Sequence, residues 1–296
     1  MPEIAEVRVV ANTLKKQILN TKIKKVKVMY SGIIVGNKIN FASFLEGKTI
    51  KDITTCGKWL IFNLGNISLL SHLRMEGKYF YVSSTREIGK HEHIIFSLDN
   101  DMDLRYEDVR KFGRMQIVDT DKVYETECIK KLGFEPENKN LTPEYLLEKF
   151  KKKKLPIKTV LLDQSIINGL GNIYANEVLF EAKINPFRSA NTIKKCEAKK
   201  IIDAARKIVT RSFELGGCTI RSYTSGLGVI GHFQDELKVQ GREGKPCYVC
   251  GKSIKRCKIG GRSTFYCEKC QKNWKFTQQQ TFEILKKHIV LSVLEW

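Results

Sequence analysis

The chain has 296 residues, enough for one large or two modest domains, and 42% of them are hydrophobic, enough to bury a sizeable core. Fifty-two Lys and Arg stand against 32 Asp and Glu, a formal charge of +20. That is far beyond what solubility needs and points to a polyanionic partner, because neutralised phosphates release condensed counterions. No apolar run is long enough to span a bilayer, and Met1-Pro2-Glu3 does not open a secretory signal, so a cytoplasmic protein without a membrane partner is expected.

In chain order, Ala5, Val9, Leu14 and Ile18 recur at roughly helical spacing and predict a helix over 5–19, ended by Asn20. From about 22 to 120 the character changes. Short β-branched and aromatic runs at 25–30, 59–62, 79–82 and 93–96 are punctuated by Gly and Asn and predict a sandwich or barrel. After about 123 the pattern turns helical. Thr142-Pro143-Glu144 is a helix start, with Thr142 as the cap and Pro143 in the first turn. Pro156 starts the next helix, others run from Tyr174 to Ala182 and from Ala198 to Leu215, and Gly216-Gly217 ends the last. The Gly- and Ser-containing stretch 221–235 reads as a mobile loop.

The nine cysteines include two tight pairs, Cys247-x2-Cys250 and Cys267-x2-Cys270, separated by sixteen residues. In a reducing compartment this two-knuckle spacing predicts one tetrahedral Zn2+ held by four thiolates, a closed shell and so a structural metal. Cys56, Cys128, Cys196, Cys218 and Cys257 have no partners by spacing and read as packed or free thiols. Between Arg242 and Lys275 lie ten Lys or Arg against two acids, which makes the metal-bound segment a basic hairpin. Arg262, in Gly260-Gly261-Arg262-Ser263-Thr264, sits on a turn-like sequence from which an arginine can enter a minor groove. Asn168-Gly-Leu-Gly-Asn-Ile-Tyr174 joins two helices. Its glycines permit close backbone approach and the following helix end offers free N–H groups to a phosphate. The Lys151–Lys154 run, taken alone, is a solvated face.

The opening Met1-Pro2-Glu3-Ile4-Ala5-Glu6-Val7 resembles that of the formamidopyrimidine-DNA glycosylase and endonuclease VIII family. The resemblance runs to about residue 272 and takes in Lys58 of Gly57-Lys-Trp59, Met75 of His72-Leu-Arg-Met-Glu-Gly77, and His91. It continues through Arg105-Tyr-Glu-Asp-Val-Arg-Lys-Phe-Gly113, Gly169-Leu-Gly-Asn-Ile-Tyr-Ala-Asn-Glu177 and the four cysteines. It implies a multidomain α+β fold: an N-terminal β-sandwich with a leading helix (1–122), a helix–two-turn–helix domain (123–235) and a zinc finger (236–272). Residues 273–296 form an extension of unknown role.

It also implies a bifunctional DNA glycosylase and abasic-site lyase. With Met1 removed, Pro2 becomes a secondary amine that titrates near 7.7–8.0 and attacks C1′ of a deoxyribose. Glu3 serves as general acid/base. Glu6 reads equally as a supporting acid or as a surface glutamate. By resemblance Lys58 serves β-elimination and Arg262 δ-elimination, while His91, Arg110, Lys153 and Asn172 contact DNA. Base flipping leaves a gap that Met75, Arg110 and Phe112 fill in this family; taken alone, Met75 and Phe112 read as core residues. The Met75 and Arg110–Gly113 contexts favour oxidised purines, 8-oxoguanine and formamidopyrimidines, excised by a monomer from double-stranded DNA in the bacterial nucleoid. Oxidised pyrimidines are the alternative, as is a DNA-binding zinc protein of this fold without catalysis; only charge argues for an RNA-binding ribbon. Ala5 and Val109 stand where the family usually has proline, and Lys111 where it has arginine.

Overall fold

The computed structural model describes residues 1–218 and 230–272, in two compact units. The first unit comprises Met1–Pro136, Ile167–Gly171 and Val209–Glu236; the second comprises Glu137–Ile166, Asn172–Ile208 and the chain from Leu237.

The first unit opens with α1 (Ile4–Ile18), whose entry is a capping box between Glu3 and Glu6. Its buried stripe is Val7, Val10, Ala11, Leu14 and Ile18, one helix face at three- and four-residue steps. Val9, expected on that face, lies off the stripe and is only half-buried. Then follow β1 (Ile23–Val28), β2 (Ile34–Val35), α2 (Phe41–Leu45), β3 (Asp52–Cys56), β4 (Trp59–Asn63), β5 (Ile67–His72), β6 (Lys78–Ser83), β7 (Glu92–Leu98), β8 (Met102–Glu107), β9 (Arg114–Asp119) and α3 (Glu127–Lys130). The strands form a four-stranded sheet, β1-β7-β8-β6, and a five-stranded sheet, β2-β9-β5-β4-β3, antiparallel except for β2 against β9.

The expected sandwich is present. Leu60 and Phe62 of β4, Ile94 and Phe96 of β7 and the α1 stripe share one core, and each such side chain contributes about 1.5–3 kcal/mol by leaving water. Trp59 and Ile61 face the other way, into a second cluster with Leu70, Val123 and Ile129. β4 is therefore covered on both faces, which is why its sequence is a continuous apolar run rather than an alternation. Arg105 is one of several charged residues buried in this unit. It is 1% exposed, donates to Asp103 and Glu92 and to the carbonyls of Arg86 and Glu87, and so ties the loop ahead of β7 to β8.

The second unit contains α4 (Pro143–Phe150), α5 (Ile157–Leu161), α6 (Asn172–Glu181) and the start of α7 (Lys195–Glu214). As expected, Thr142 Oγ1 caps α4 by accepting the Tyr145 N–H at 3.2 Å. Helices α6 and α7 begin at Asn172 and Lys195, two and three residues earlier than periodicity suggested. The unit ends in the hairpin β10 (Lys255–Ile259) and β11 (Arg262–Tyr266), and its small core joins Phe180 of α6 to Val239, Ile254, Phe265, Cys247 and Cys267.

In the first unit Gly216 and Gly217 end α7 with φ of 74° and 82°. Of the loop expected over 221–235, residues 219–229 lie outside the described residues. Residues 230–236 return through a short 3-10 turn in which His232 N donates to Leu215 O and Phe233 N to Gly217 O. The extension 273–296 also lies outside the described residues. No helix among the described residues is long and apolar enough to cross a membrane.

Candidate functional site

The amino terminus is where the first unit gathers its chemistry. Pro2 and Glu3 are both buried just ahead of α1. Glu3 Oε2 accepts the Gly171 N–H at 2.5 Å, and Glu3 N donates to Glu6 Oε2 at 2.8 Å. Glu6 is 6% exposed and its other oxygen accepts the Cys218 N–H at 2.8 Å, so the surface reading of this residue fails. Lys58, at the β3–β4 turn, is 5% exposed and donates from Nζ to Leu170 O at 2.7 Å.

The Met1 amine feels this cluster. Burial pushes it below its ordinary value of 8.0, Glu3 and Glu6 raise it, and Lys58 lowers it again. An amine held in such a place sheds its proton more readily than an exposed one.

Residues 167–171 supply the frame. Ile4 N donates to Gly169 O at 3.1 Å, and Asn168 N to Phe134 O at 2.9 Å. A Cβ at Gly171 would lie 2.4 Å from Glu3 Cδ, and one at Gly169 2.6 Å from Ile4 Cβ. The two glycines expected to admit a phosphate instead admit the start of α1. Glycine is equally needed at the lysine turn: Gly57 has φ +55°, and its Cβ would meet Asn168 Oδ1 at 1.9 Å. Glu135 closes this turn, accepting from Gly57 N at 2.5 Å and from Arg8 at 2.7 Å.

The three residues expected to fill a base-sized gap stand on exposed loops. Met75 is 36% and Phe112 48% exposed, which removes the core reading of both. Met75 follows Arg74, a left-handed residue (φ +53°) whose N–H donates to His72 Nδ1 at 3.0 Å. His72 is buried edge-on against Trp59, and burial, with the charges of Arg74 and Lys58, holds its pKa down to about 3. It is therefore a neutral acceptor. The Arg110 guanidinium lies 4.7 Å from the centre of the Phe112 ring. Fully buried Asp108 organises this loop, accepting from Arg110 N at 3.1 Å and Gly113 N at 2.7 Å. Half-buried His91 is joined to it, since His91 O accepts the Asp108 N–H.

In the second unit, the four cysteine sulfurs lie within 4.8 Å of one another, with Cys247–Cys270 at 3.8 Å and Cys250–Cys267 at 3.4 Å. A tetrahedral zinc with bonds of about 2.3 Å requires sulfur–sulfur edges of about 3.8 Å. The donor set fits that ion, and four thiolates leave it no open position. Knuckle backbone bonds hold the donors, Gly251 N to Cys247 O and Gln271 N to Cys267 O, each 2.9 Å. Arg262 is exposed at the first position of β11, after a two-residue turn in which Gly260 and Gly261 have φ of 54° and 72°. Asn172 opens α6, donates to Ser263 O at 3.0 Å and accepts from Lys158 Nζ at 2.9 Å. Lys153 is part-buried, its ammonium 3.2 Å from Asp163.

Several positioning residues were missed from sequence: Asp108, Glu135, Asn168 and Lys158. Lys158 is wholly buried and also reaches Ser263 O and Thr264 Oγ1, so it joins α5, α6 and the hairpin. Nothing in local sequence marks Glu135, Asn168 or Lys158, because each acts on a partner distant along the chain, whereas Asp108 acts on N–H groups within its own loop.

A helix-led β-sandwich with a buried carboxylate and lysine at its amino terminus, together with a four-thiolate finger, defines a class of zinc-containing enzymes. The comparisons narrow it. Residues 1–115 match the formamidopyrimidine-DNA glycosylase N-terminal domain, 132–224 the formamidopyrimidine-DNA glycosylase H2TH domain, and 244–273 the zinc finger found in FPG and IleRS. The chain is 46% identical over 272 residues to the formamidopyrimidine-DNA glycosylase of Ligilactobacillus salivarius, covering 92% of this chain and 99% of that one. It is 43% identical over 277 residues to the enzyme of Listeria innocua, covering 92% and 100%. Among solved structures, Lactococcus lactis Fpg in complex with an abasic site containing DNA superposes with a TM-score of 0.87 at 38% identity, covering 92% of this chain and 100% of that one. A mutant of the same protein bound to a Fapy-dG containing DNA gives 0.87 at 37%, with the same coverage. This chain belongs to the formamidopyrimidine-DNA glycosylase family.

Proposed function

We propose that the protein excises oxidised purines from double-stranded DNA and then cleaves the strand at the abasic site, using Pro2 as its nucleophile. The supporting observation is the buried amino terminus, where Glu3, Glu6 and Lys58 all act on the terminal amine. The names of the relatives and the Fapy-dG in a neighbouring structure favour purine over pyrimidine lesions.

Removal of Met1 frees the Pro2 nitrogen as a secondary amine. That nitrogen attacks C1′, the bond from C1′ to the base breaks, and the base leaves with a proton. Protonation of O4′ then breaks the C1′–O4′ bond, the nitrogen lone pair closes the iminium at C1′, and that cation acidifies C2′. Loss of a C2′ proton expels the 3′ phosphate, and a second elimination expels the 5′ phosphate. Glu3, whose carboxylate is fixed by the Gly171 N–H, acts as the acid that opens the sugar and moves protons. Lys58 serves the first elimination and Arg262 the second. His91, Arg110, Lys153 and Asn172 bind DNA, and Met75, Arg110 and Phe112 occupy the space of the flipped nucleotide. Working domains of 1–122, 123–235 and 236–272 follow from this division of labour. Four thiolates hold one structural zinc, which stiffens the hairpin carrying Arg262 and takes no part in the chemistry.

Borohydride reduction during incubation with an 8-oxoguanine duplex tests the reading. A covalent protein–DNA adduct is expected, and it should be lost on Pro2→Gly. Absence of any adduct with protein whose mature terminus is Pro2 by mass spectrometry would overturn it.

A further inference from the structure

The loop that carries Arg110 and Phe112 departs from its family at Val109 and Lys111, and the structure shows what stands in for the missing proline. Lys111 adopts a left-handed φ of +58°, which a lysine does not favour. Its N–H donates to Asp108 O at 3.1 Å, and its ammonium sits 4.6 Å from the centre of the Tyr30 ring.

Tyr30 is itself fixed. It leaves the end of β1, its N–H donates to His93 O at 3.3 Å, and its ring packs at 5.4 Å against that of His93. His93 Nε2 lies 2.8 Å from Asp108 O. The Tyr30 ring folds back over Gly32, where a Cβ would come within 2.3 Å of the hydroxyl oxygen. Glycine is thus needed at position 32 to let the ring lie where it does. Tyr30, His93 and Asp108 form a closed brace around Lys111, one residue from each of the two side chains that face DNA.

We propose that Tyr30 is a positioning residue. By holding the Lys111 ammonium on its ring it sets the loop conformation that presents Arg110 and Phe112 to the gap left by the flipped nucleotide. The inference rests on the proposed function and deepens it. Lys111 takes its unfavoured backbone conformation only while both ends are held, the backbone by Asp108 and the side chain by the ring. With the ring gone the loop samples other conformations, and binding of intact lesions weakens through lost preorganisation.

The test uses the full zinc-loaded chain with Tyr30→Leu, Tyr30→Phe, Lys111→Met and the Tyr30→Leu/Lys111→Met double variant. For an 8-oxoguanine duplex, Tyr30→Leu should raise KM roughly two- to five-fold, the scale of an exposed cation–π contact, with kcat little changed. Tyr30→Phe keeps the ring and should behave as wild type. The double variant should lose no more than either single one. A 2-aminopurine beside the lesion should brighten less on binding Tyr30→Leu, because the wedge enters less fully. Single-stranded abasic DNA needs no wedge, and its cleavage should be unchanged in every variant.

Additive losses in the double variant, an equal defect in Tyr30→Phe, or an equal fall on single-stranded abasic DNA would each overturn the brace. Failure of the wild-type chain to excise 8-oxoguanine would instead overturn the proposed function, so the two failures are distinguishable.

Discussion

Glu3 and Lys58 in the first unit and Arg262 in the second are held in opposite ways. The first pair is buried, and backbone groups of residues 170–171, far along the chain, bind both side chains. Arg262 stands in solvent at the first strand position after a two-residue turn, on a hairpin whose small core includes cysteines of the four-thiolate set. Covalent chemistry at a sugar carbon needs fixed groups away from water. Reaching a flexible polyanion needs a charge that projects, and metal supplies the stiffness that a core of six residues does not. The loops bearing Met75 and Phe112 follow the second plan in part, with exposed tips set on buried polar anchors, His72 and Asp108.

Removing the zinc gives the largest expected effect. Structural zinc in isolated fingers is worth about 10–16 kcal/mol. Chelation, or Cys267→Ser, should therefore unfold residues 244–272 and abolish tight duplex binding, while the β-sandwich keeps its own melting transition. Circular dichroism with a duplex titration checks both, and a finger that stays folded without metal would break the contrast.

The second effect is pH-dependent. His72 has a folded pKa of about 3 because of its burial, below the ordinary 6.5. Between those values the unfolded chain binds the extra proton, so stability is complete above pH 6.5 and falls as pH drops toward 3. The loss is on the order of 2 kcal/mol at pH 5. Denaturant unfolding at pH 7 and pH 5 should show it in the wild type, and His72→Asn, which retains an acceptor for Arg74 N, should remove it.

Gly57→Ala comes third. A strained φ together with the collision with Asn168 should cost about 1–3 kcal/mol and displace Lys58. Asn168→Ala in the same chain should recover the steric share but not the backbone share, by thermal melts of the three variants.

The smallest stability effect is expected at the exposed tip. Phe112→Ala should change stability by less than about 0.5 kcal/mol yet lower excision of 8-oxoguanine from duplex DNA, in melts and single-turnover assays run side by side. A large loss of stability there would put Phe112 with the buried pair.

Much of the molecule was legible because some signals are local. The Cys-x2-Cys spacing, the Thr142-Pro143 helix start, the Gly260-Gly261 turn and the apolar run of β4 each declare their structure within a few residues. Glu6 was ambiguous because its partner, the Cys218 N–H, lies 212 positions away. The glycines of 169–171 were read as space for a phosphate, since a missing Cβ tells of room without saying who enters it; the structure fills that room with Glu3 and Ile4. Met75 and Phe112 looked like core side chains because hydrophobicity does not say which way a loop points.

The sequence by itself determined the metal site, the order of elements, the basic character and the chemical types at the amino terminus, all of which depend on neighbours in the chain. Only the tertiary structure decided which groups hold Glu3, Lys58 and Lys111 in place. The restraints from Gly171 on Glu3, Leu170 on Lys58 and Tyr30 on Lys111 come from residues tens to hundreds of positions away, and burial, not residue type, makes the terminal amine and the His72 imidazole give up their protons more readily.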